Sequence, residues 1–201
     1  MGNGMKRNDL FRVLDKLLFD AAGVLKKNYE CYYPKSGSPD PNERDITTAF
    51  ANATQVQSLN WPMFTEVPIK QGMQGNGEPI LDMLLLPKPE LGGFPQAAIL
   101  IESKNIFTRK QFHQIEKDFL KMEAFSGRPL QDGTDFPKAR LHMALMMDWG
   151  SEDALKEKLL QLYPEAGRDD EKPVLKIIRP GAWNDRDQWL VGLCRWHGNW
   201  E

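Results

Sequence analysis

An apolar run of strand length ends in two opposite charges, and this run most constrains the fold. Residues 94–104 read Phe-Pro-Gln-Ala-Ala-Ile-Leu-Ile-Glu-Ser-Lys. Side chains two positions apart in a strand point to the same side, so Glu102 and Lys104 are expected to share one face while Ser103 lies on the other. Removing an unpaired charge from water is costly, and a carboxylate beside an ammonium group at the end of a core strand therefore indicates a functional site.

Asp82 lies inside a second apolar run, Ile-Leu-Asp-Met-Leu-Leu-Leu, at residues 80–86. A buried carboxylate must be paired, protonated or bound to a cation, unless the strand lies at an edge with one face in water. The two runs are spaced for an antiparallel pair, which would bring Asp82 close to Glu102. Two converging carboxylates provide the hard oxygen ligands that Mg²⁺ or Mn²⁺ prefers, and Lys104 can stabilise the charge that develops on a phosphate.

The hydrophobic periodicity around these runs predicts an α/β protein with a mixed central sheet flanked by helices. Apolar residues recur at three- and four-residue steps in the predicted helices and at two-residue steps in the predicted strands. The helices are predicted at 8–27, 40–57, 109–125 and 152–162, and the strands at 63–69, 79–86, 97–104, 140–147, 174–178 and 189–196. We expect one domain over residues 1–201, with a core at about 40–148 and C-terminal additions at 149–201.

Composition narrows the classes of protein that fit. A chain of 201 residues that is 41% hydrophobic can bury one substantial core, and its net charge of −2 provides no global basic field for nucleic acid. Its two cysteines are far apart and do not have zinc-finger spacing. The first residues lack an apolar signal core, and no apolar run reaches membrane-spanning length, so a cytoplasmic protein without membrane contact is expected.

The pattern Asp82…Glu102-Ser103-Lys104, on the second and third strands of an α-β-β-β-α-β order, resembles the PD-(D/E)xK nuclease superfamily. The resemblance covers roughly residues 40–147 and implies a restriction-endonuclease-like fold. It also implies a metal-dependent endonuclease acting on DNA, in which Asp82 and Glu102 bind Mg²⁺ or Mn²⁺ and Lys104 assists the attacking water. Members of this superfamily frequently act as homodimers, for which the amphipathic first helix is a candidate interface.

Three further residues are candidates for supporting roles in this site. The resemblance implies that Glu43, from the helix before the sheet, completes the metal shell, but a capping box with Asp40 explains it equally well. Gln114 corresponds to a polar residue near the site on the helix after the third strand, and a solvated helix position is its alternative. Glu66 lies in the first strand, where an outer strand also tolerates a polar face.

The sequence departs from the superfamily pattern at one position and contains other residues that could form a site. The proline that gives the superfamily its name is absent before Asp82, and Pro79 stands three residues earlier. Asp170-Glu171-Lys172 is a second acidic-x-Lys triplet, but it follows a charged segment rather than an apolar strand. His113, His142 and His197 lack the spacing of metal ligands in sequence, and His142, within a core strand, is interpreted as a hydrogen-bonded structural histidine.

Two non-enzymatic functions remain open alternatives. The nuclease fold is also used by proteins that have lost catalysis and act as binding or assembly modules, and the acidic net charge is compatible with that class. A regulatory or immunity partner of a mobile element is a further possibility. Retention of Asp82, Glu102 and Lys104 together favours the metal-dependent nuclease.

Overall fold

The structure is a computed structural model that describes residues 7–28, 42–57, 61–68, 80–87, 97–105, 114–124, 135–149, 152–162, 176–178 and 188–198. The Asp170-Glu171-Lys172 triplet and the first residues of the helix predicted from 109 lie outside these residues. The helices are α1 (Arg7–Lys27), α2 (Glu43–Val56), α3 (Ile115–Ala124) and α4 (Glu152–Leu162). The strands are β1 (Met63–Pro68), β2 (Ile80–Leu85), β3 (Ala97–Asn105), β4 (Ala139–Trp149), β5 (Lys176–Ile178) and β6 (Gln188–His197).

The six strands form one mixed sheet in the order β1-β2-β3-β4-β6-β5. β3 and β4 are parallel, and the other neighbouring pairs are antiparallel. A parallel pair needs a crossover connection, and α3 lies in the chain between β3 and β4. The predicted antiparallel pairing of β2 with β3 is confirmed, and the chain is an α/β protein as the periodicity indicates.

Helices pack on both faces of the sheet and enclose two apolar cores. On one face, Leu14 and Leu18 of α1 and Phe50 of α2 pack against Met143 of β4. On the other face, Phe119 of α3 packs with residues of β3, β4 and β6, and α4 contributes to the same core. Both faces of the central strands are covered, which explains their nearly continuous apolar sequences.

Alternation along β3 fixes which side chains reach which helix layer. Ile99 and Ile101 belong to the core under α1 and α2, whereas Ala98 and Leu100 belong to the core under α3. The same alternation directs Glu102 and Lys104 toward α3, and their contacts with that helix confirm the predicted shared face. The site therefore lies between one end of β3 and α3.

The segment after β4 completes the sheet. β6 pairs with β4 along its whole length, and β5 lies outside β6. Gly192 of β6 lies against the side chains of Met143 and Leu18, so β6 also contacts the core under α1. The residues predicted as C-terminal additions thus form two strands of the same sheet.

One prediction about the helices is wrong, and the packing of α1 restricts another. α2 begins at Glu43 with Asn42 as its cap, and Asn42 forms a capping box with Asp45, not the predicted pair of Asp40 and Glu43. The apolar face of α1 is buried within this chain, with Leu10, Leu14 and Leu17 fully covered. A dimer interface on α1, which stays a prediction, would therefore have to use a different face of the helix.

No helix among the described residues is both long enough and apolar enough to cross a membrane.

Candidate active site

The pairing of β2 with β3 ends just before Asp82, and side chains replace the strand hydrogen bonds there. The last paired residues are Met83 and Ile101, and the same register places Asp82 opposite Glu102. Asp82 Oδ2 accepts a hydrogen bond from the backbone N–H of Ser103 at 2.7 Å. Glu102 Oε1 accepts one from the backbone N–H of Asp82 at 3.3 Å. The two carboxylates therefore converge, as the sequence predicts.

The remaining carboxylate oxygens differ in their surroundings. Glu102 Oε2 accepts a hydrogen bond from the ammonium group of Lys121, on α3, at 2.7 Å. Asp82 Oδ1 has no hydrogen-bond partner among the residues that the structure describes. One oxygen of this carboxylate pair is thus available to a ligand, and a second is held by a cationic side chain.

Burial and charge repulsion perturb Glu102 strongly. Its residue surface is 3% exposed. Burial, and then the neighbouring Asp82 carboxylate, raise the pKa of Glu102 from 4.5 to about 7, although the ammonium of Lys121 acts in the opposite direction. Glu102 therefore carries its negative charge at a free-energy cost near neutral pH, and a bound cation would reduce that cost.

Lys104 lies between two carboxylates contributed by different helices. Its Nζ is 3.6 Å from Glu43 Oε1 of α2 and 3.5 Å from Asp118 Oδ2 of α3. Burial by itself lowers the pKa of Lys104, but Asp118, Glu43 and Glu102 outweigh it and raise the pKa above its ordinary value. Lys104 is therefore a charged ammonium group at neutral pH and cannot serve as a general base there.

Asp118 is a site residue that the sequence reasoning missed. It is buried, and burial raises its pKa above the ordinary value even though Lys104 and Lys121 lower it. The sequence does indicate that Asp118 is buried, because it lies within the apolar stripe of α3, three residues after Ile115 and four before Met122. Since both of those residues are fully buried, a carboxylate between them requires a partner.

Ser103 connects the site strand to the opposite helix layer. Its hydroxyl lies 2.7 Å from the Thr47 hydroxyl of α2. Thr47 Oγ1 donates its only hydrogen to the backbone carbonyl of Glu43 at 3.0 Å, so the Ser103 hydroxyl donates to Thr47. This chain of hydrogen bonds couples the first turn of α2, which carries Glu43, to β3.

Glu43 reaches the site through Lys104. Its carboxylate is half exposed and contacts the lysine ammonium, and its position at the first residue of α2 leaves no capping role for its side chain. Glu43, Asp82 and Glu102 do not form a cluster of close donor atoms. Among the described residues, three possible metal ligands with close donor atoms occur elsewhere, at Glu123, His142 and His197.

The two remaining candidates lie at the edges of the site. Gln114 precedes α3, and its backbone carbonyl accepts a hydrogen bond from Asp118 N at 3.0 Å, but within the described residues its side chain bonds none of the site groups. Glu66 lies opposite Asp82 in the register of β1 and β2. Its φ of 52° is left-handed, and its exposed carboxylate lies 3.5 Å from Arg44 of α2.

The charges that meet here favour a divalent cation. Four carboxylates, those of Glu43, Asp82, Glu102 and Asp118, surround two ammonium groups, so the fully ionised site is net negative. Asp82 and Glu102 offer the oxygen donors that suit Mg²⁺ or Mn²⁺, and such ions complete their shells with water. The donor set therefore fits a magnesium-type ion held by these two residues, with Glu43 and Asp118 positioning Lys104.

No protein-family model, curated protein or solved structure matches this chain.

Proposed function

We propose that this chain has a restriction-endonuclease-like fold and hydrolyses phosphodiester bonds in DNA with Mg²⁺ or Mn²⁺. The convergence of Asp82 and Glu102 where β2 and β3 separate supports the proposal most strongly. Lys104 lies one pleat further along the same face of β3. Metal-assisted phosphodiester hydrolysis uses two carboxylates and a lysine, and Asp82, Glu102 and Lys104 provide these groups at one end of two neighbouring strands.

Asp82 and Glu102 are the proposed metal ligands. A bound Mg²⁺ would polarise the phosphodiester and lower the pKa of a coordinated water. Asp82 provides an oxygen without a partner among the described residues, and Glu102 Oε2 is available once Lys121 moves aside. Since a metal ligand must be deprotonated, the raised pKa of Glu102 predicts that ion binding strengthens as the pH rises through about 7.

Lys104 is proposed to act as a fixed positive charge and hydrogen-bond donor. Glu43 and Asp118 hold its ammonium group in place and keep it protonated at neutral pH. A protonated lysine can orient the attacking water or stabilise negative charge on the phosphate, but it cannot remove a proton. The proposed roles of Glu43 and Asp118 are therefore to position Lys104.

The charge balance limits how DNA could approach. The site is net negative before an ion binds, and the whole chain carries −2. Phosphate binding is therefore expected to depend on the divalent cation. A homodimer that cuts both strands in the cytoplasm is compatible with the proposal, but it would require a surface other than the apolar face of α1.

A catalytically inactive binding or assembly module is the second candidate. Asp82 Oδ2 and Glu102 Oε1 cap the ends of the β2–β3 pairing, and Lys121 neutralises Glu102. These bonds give both carboxylates a structural use that needs no metal. A binding or assembly module would keep that network for stability and would use another surface for its partner.

A cleavage assay with matched variants separates the two candidates. The wild-type chain is incubated with linear, circular and branched DNA in Mg²⁺, in Mn²⁺ and in EDTA. Asp82→Asn and Lys104→Met remove the proposed ligand and the proposed charge with little change in volume. Asp153→Asn changes an exposed carboxylate on α4 and is the matched control. We expect metal-dependent cleavage by wild type and by Asp153→Asn, and a loss of at least about 100-fold in both site variants.

Two outcomes contradict the nuclease proposal. Cleavage that survives both site substitutions would place the chemistry at other residues. If wild type cleaves no substrate in either metal although circular dichroism shows that it is folded, the binding module becomes the better interpretation. A fluorescence-anisotropy measurement with the same DNAs then tests whether nucleic acid is its partner at all.

A further inference from the structure

Two histidines and a glutamate that are distant in sequence meet beside α3, on the β4–β6 side of that helix. His142 lies on β4, His197 on β6 and Glu123 on α3, and one ligand atom from each lies within 4.8 Å of the others. The two imidazole rings have centroids 4.2 Å apart, and His197 Nε2 is 3.9 Å from Glu123 Oε1. These groups take no part in the Asp82–Glu102 site.

His142 has an unmet hydrogen-bonding requirement. It is completely buried, and among the described residues neither of its ring nitrogens has a hydrogen-bond partner. A buried imidazole without any partner costs free energy, and the sequence-based interpretation of His142 as a hydrogen-bonded structural histidine is therefore wrong. Complete burial disfavours a charged imidazole, so the ring is neutral and one of its nitrogens has a lone pair to offer to a ligand.

A cation at this position would have to tolerate two positive groups, those of Arg140 and Arg195, and Arg195 contacts the proposed ligand Glu123 directly. Its guanidinium lies over the ring of Phe119 and 3.6 Å from Glu123 Oε1. It also forms a two-pronged pair with Glu116, with contacts of 3.3 and 3.4 Å. Glu123 could therefore turn toward a cation while Arg195 keeps a carboxylate partner.

We propose that Glu123, His142 and His197 form a second metal site, selective for a divalent transition metal of the zinc type. Two imidazole nitrogens and one carboxylate oxygen are a donor set that suits Zn²⁺ and poorly suits Mg²⁺. Ligand atoms bound to zinc at about 2.1 Å lie about 3.4 Å apart, so ligand atoms that are up to 4.8 Å apart need to close in by as much as about 1.4 Å. Side-chain rotation of Glu123 and His197, both only partly buried, can supply that movement.

The site would fasten α3 to β4 and β6. The same helix presents Asp118 and Lys121 to the carboxylate site, so a metal at its last turn would fix the position of those two residues. The proposal does not depend on nuclease activity, since it rests on the three ligands alone. Its test therefore uses metal binding and stability.

Zinc binding is measured by competition with a chromophoric chelator, and Co²⁺ is used as a spectroscopic probe of the ligand geometry. We expect one zinc per chain, tetrahedral visible absorption with Co²⁺, and a Tm about 5–10 °C higher at a hundredfold excess over Kd than in EDTA. His197→Gln and Glu123→Gln are expected to weaken zinc binding at least about tenfold and to abolish the cobalt spectrum. Glu157→Gln, which makes the same chemical change at an exposed position of α4, is the matched control and should bind as wild type does.

A further control separates this site from the carboxylate pair. Asp82→Asn should retain the zinc site, because Asp82 contributes no ligand to it. Equal zinc binding by wild type, His197→Gln and Glu123→Gln would overturn the proposal, and so would wild type that binds no zinc. Loss of binding in Asp82→Asn with retention in His197→Gln would assign the ion to the carboxylate pair and would also overturn it. Circular dichroism of His197→Gln and Glu123→Gln shows whether each variant is folded. This distinguishes the loss of a metal ligand from unfolding of the protein.

Discussion

Asp82 Oδ2 accepts a hydrogen bond from the backbone N–H of Ser103 at 2.7 Å, just beyond the last pair of β2 and β3. Glu102 Oε1 accepts a hydrogen bond from the backbone N–H of Asp82. The end of each strand is therefore held by a carboxylate from the neighbouring strand. The strands can separate at this point without leaving their N–H groups unsatisfied. The separation brings the Asp82 and Glu102 carboxylates together, two residues before Lys104 on β3, which is the geometric basis of the proposed active site.

The raised pKa of Glu102 predicts a stability that falls with rising pH. The folded protein holds this proton more tightly than the unfolded chain does, so the free energy of unfolding decreases between about pH 4.5 and about pH 7. The decrease is on the order of 3 kcal/mol for this group alone. Glu102→Gln should remove this part of the pH dependence, as measured by urea denaturation in EDTA across that range. Glu157→Gln, at an exposed position of α4, should leave the slope unchanged.

Magnesium should reduce the same pH dependence in wild type, because an ion bound to the ionised carboxylate offsets its cost. Equal slopes for wild type and Glu102→Gln in EDTA would show that Glu102 titrates near its ordinary value, and the electrostatic argument for a cation there would fail.

Of the two carboxylates that contact Lys104, that of Asp118 should have the larger effect on the pKa of the lysine. Its carboxylate contributes more than that of Glu43 to raising the pKa of Lys104, and it is more buried. Asp118→Asn is therefore expected to lower the pKa of Lys104 more than Glu43→Gln does. NMR titration of the Lys104 ε-methylene signals measures both values directly and needs no activity. A larger shift in Glu43→Gln than in Asp118→Asn would contradict the geometry.

Thr47 should be worth more to stability than its neighbour Thr48. Thr47→Val removes the acceptor of the buried Ser103 hydroxyl and should lower the free energy of unfolding by about 1–2 kcal/mol. Thr48→Val makes the same chemical change at an exposed position of the same helix and should stay within about 0.5 kcal/mol of wild type. Thr47→Ser keeps the hydroxyl and should recover most of the loss. Urea denaturation of the three variants tests this, and equal values for both valine variants would show that the Thr47–Ser103 contact contributes nothing.

Two glycines should respond in opposite ways to alanine. A Cβ at Gly192 would lie 2.9 Å from Met143 Sδ and 3.3 Å from Leu18 Cδ1, both in a filled core. Gly192→Ala is therefore expected to destabilise the protein by about 1–3 kcal/mol. Gly23, in α1, has no atom within 4 Å of such a Cβ, and Gly23→Ala should stabilise the helix by about 0.5–1 kcal/mol. Thermal denaturation measures both, and a stable Gly192→Ala variant would mean that β6 lies further from α1.

The periodicity of the sequence predicts the helices and strands that the structure describes, because local apolar repeats reflect which face each element buries. The sequence pattern places the cap of α2 at Asp40, two residues before the observed cap, Asn42. Aspartate and asparagine cap helices about equally well, so Asp40 and Asn42 compete on equal terms in sequence, and contacts made later decide between them. Of the two roles that the sequence leaves open for Glu43, metal ligand or capping residue, the capping role is excluded, and its carboxylate contacts Lys104.

The sequence by itself determined that Asp82, Glu102 and Lys104 lie on strands of the core, and alternation along β3 determined that Glu102 and Lys104 share a face. Only the tertiary structure decided which charges neutralise them and which histidines meet. Asp118 and Lys121 reach β3 because α3 crosses it, and His142 meets His197 because β6 pairs with β4. Such contacts join residues far apart in the chain. No local pattern encodes them, since they depend on how packed helices and strands are placed against one another.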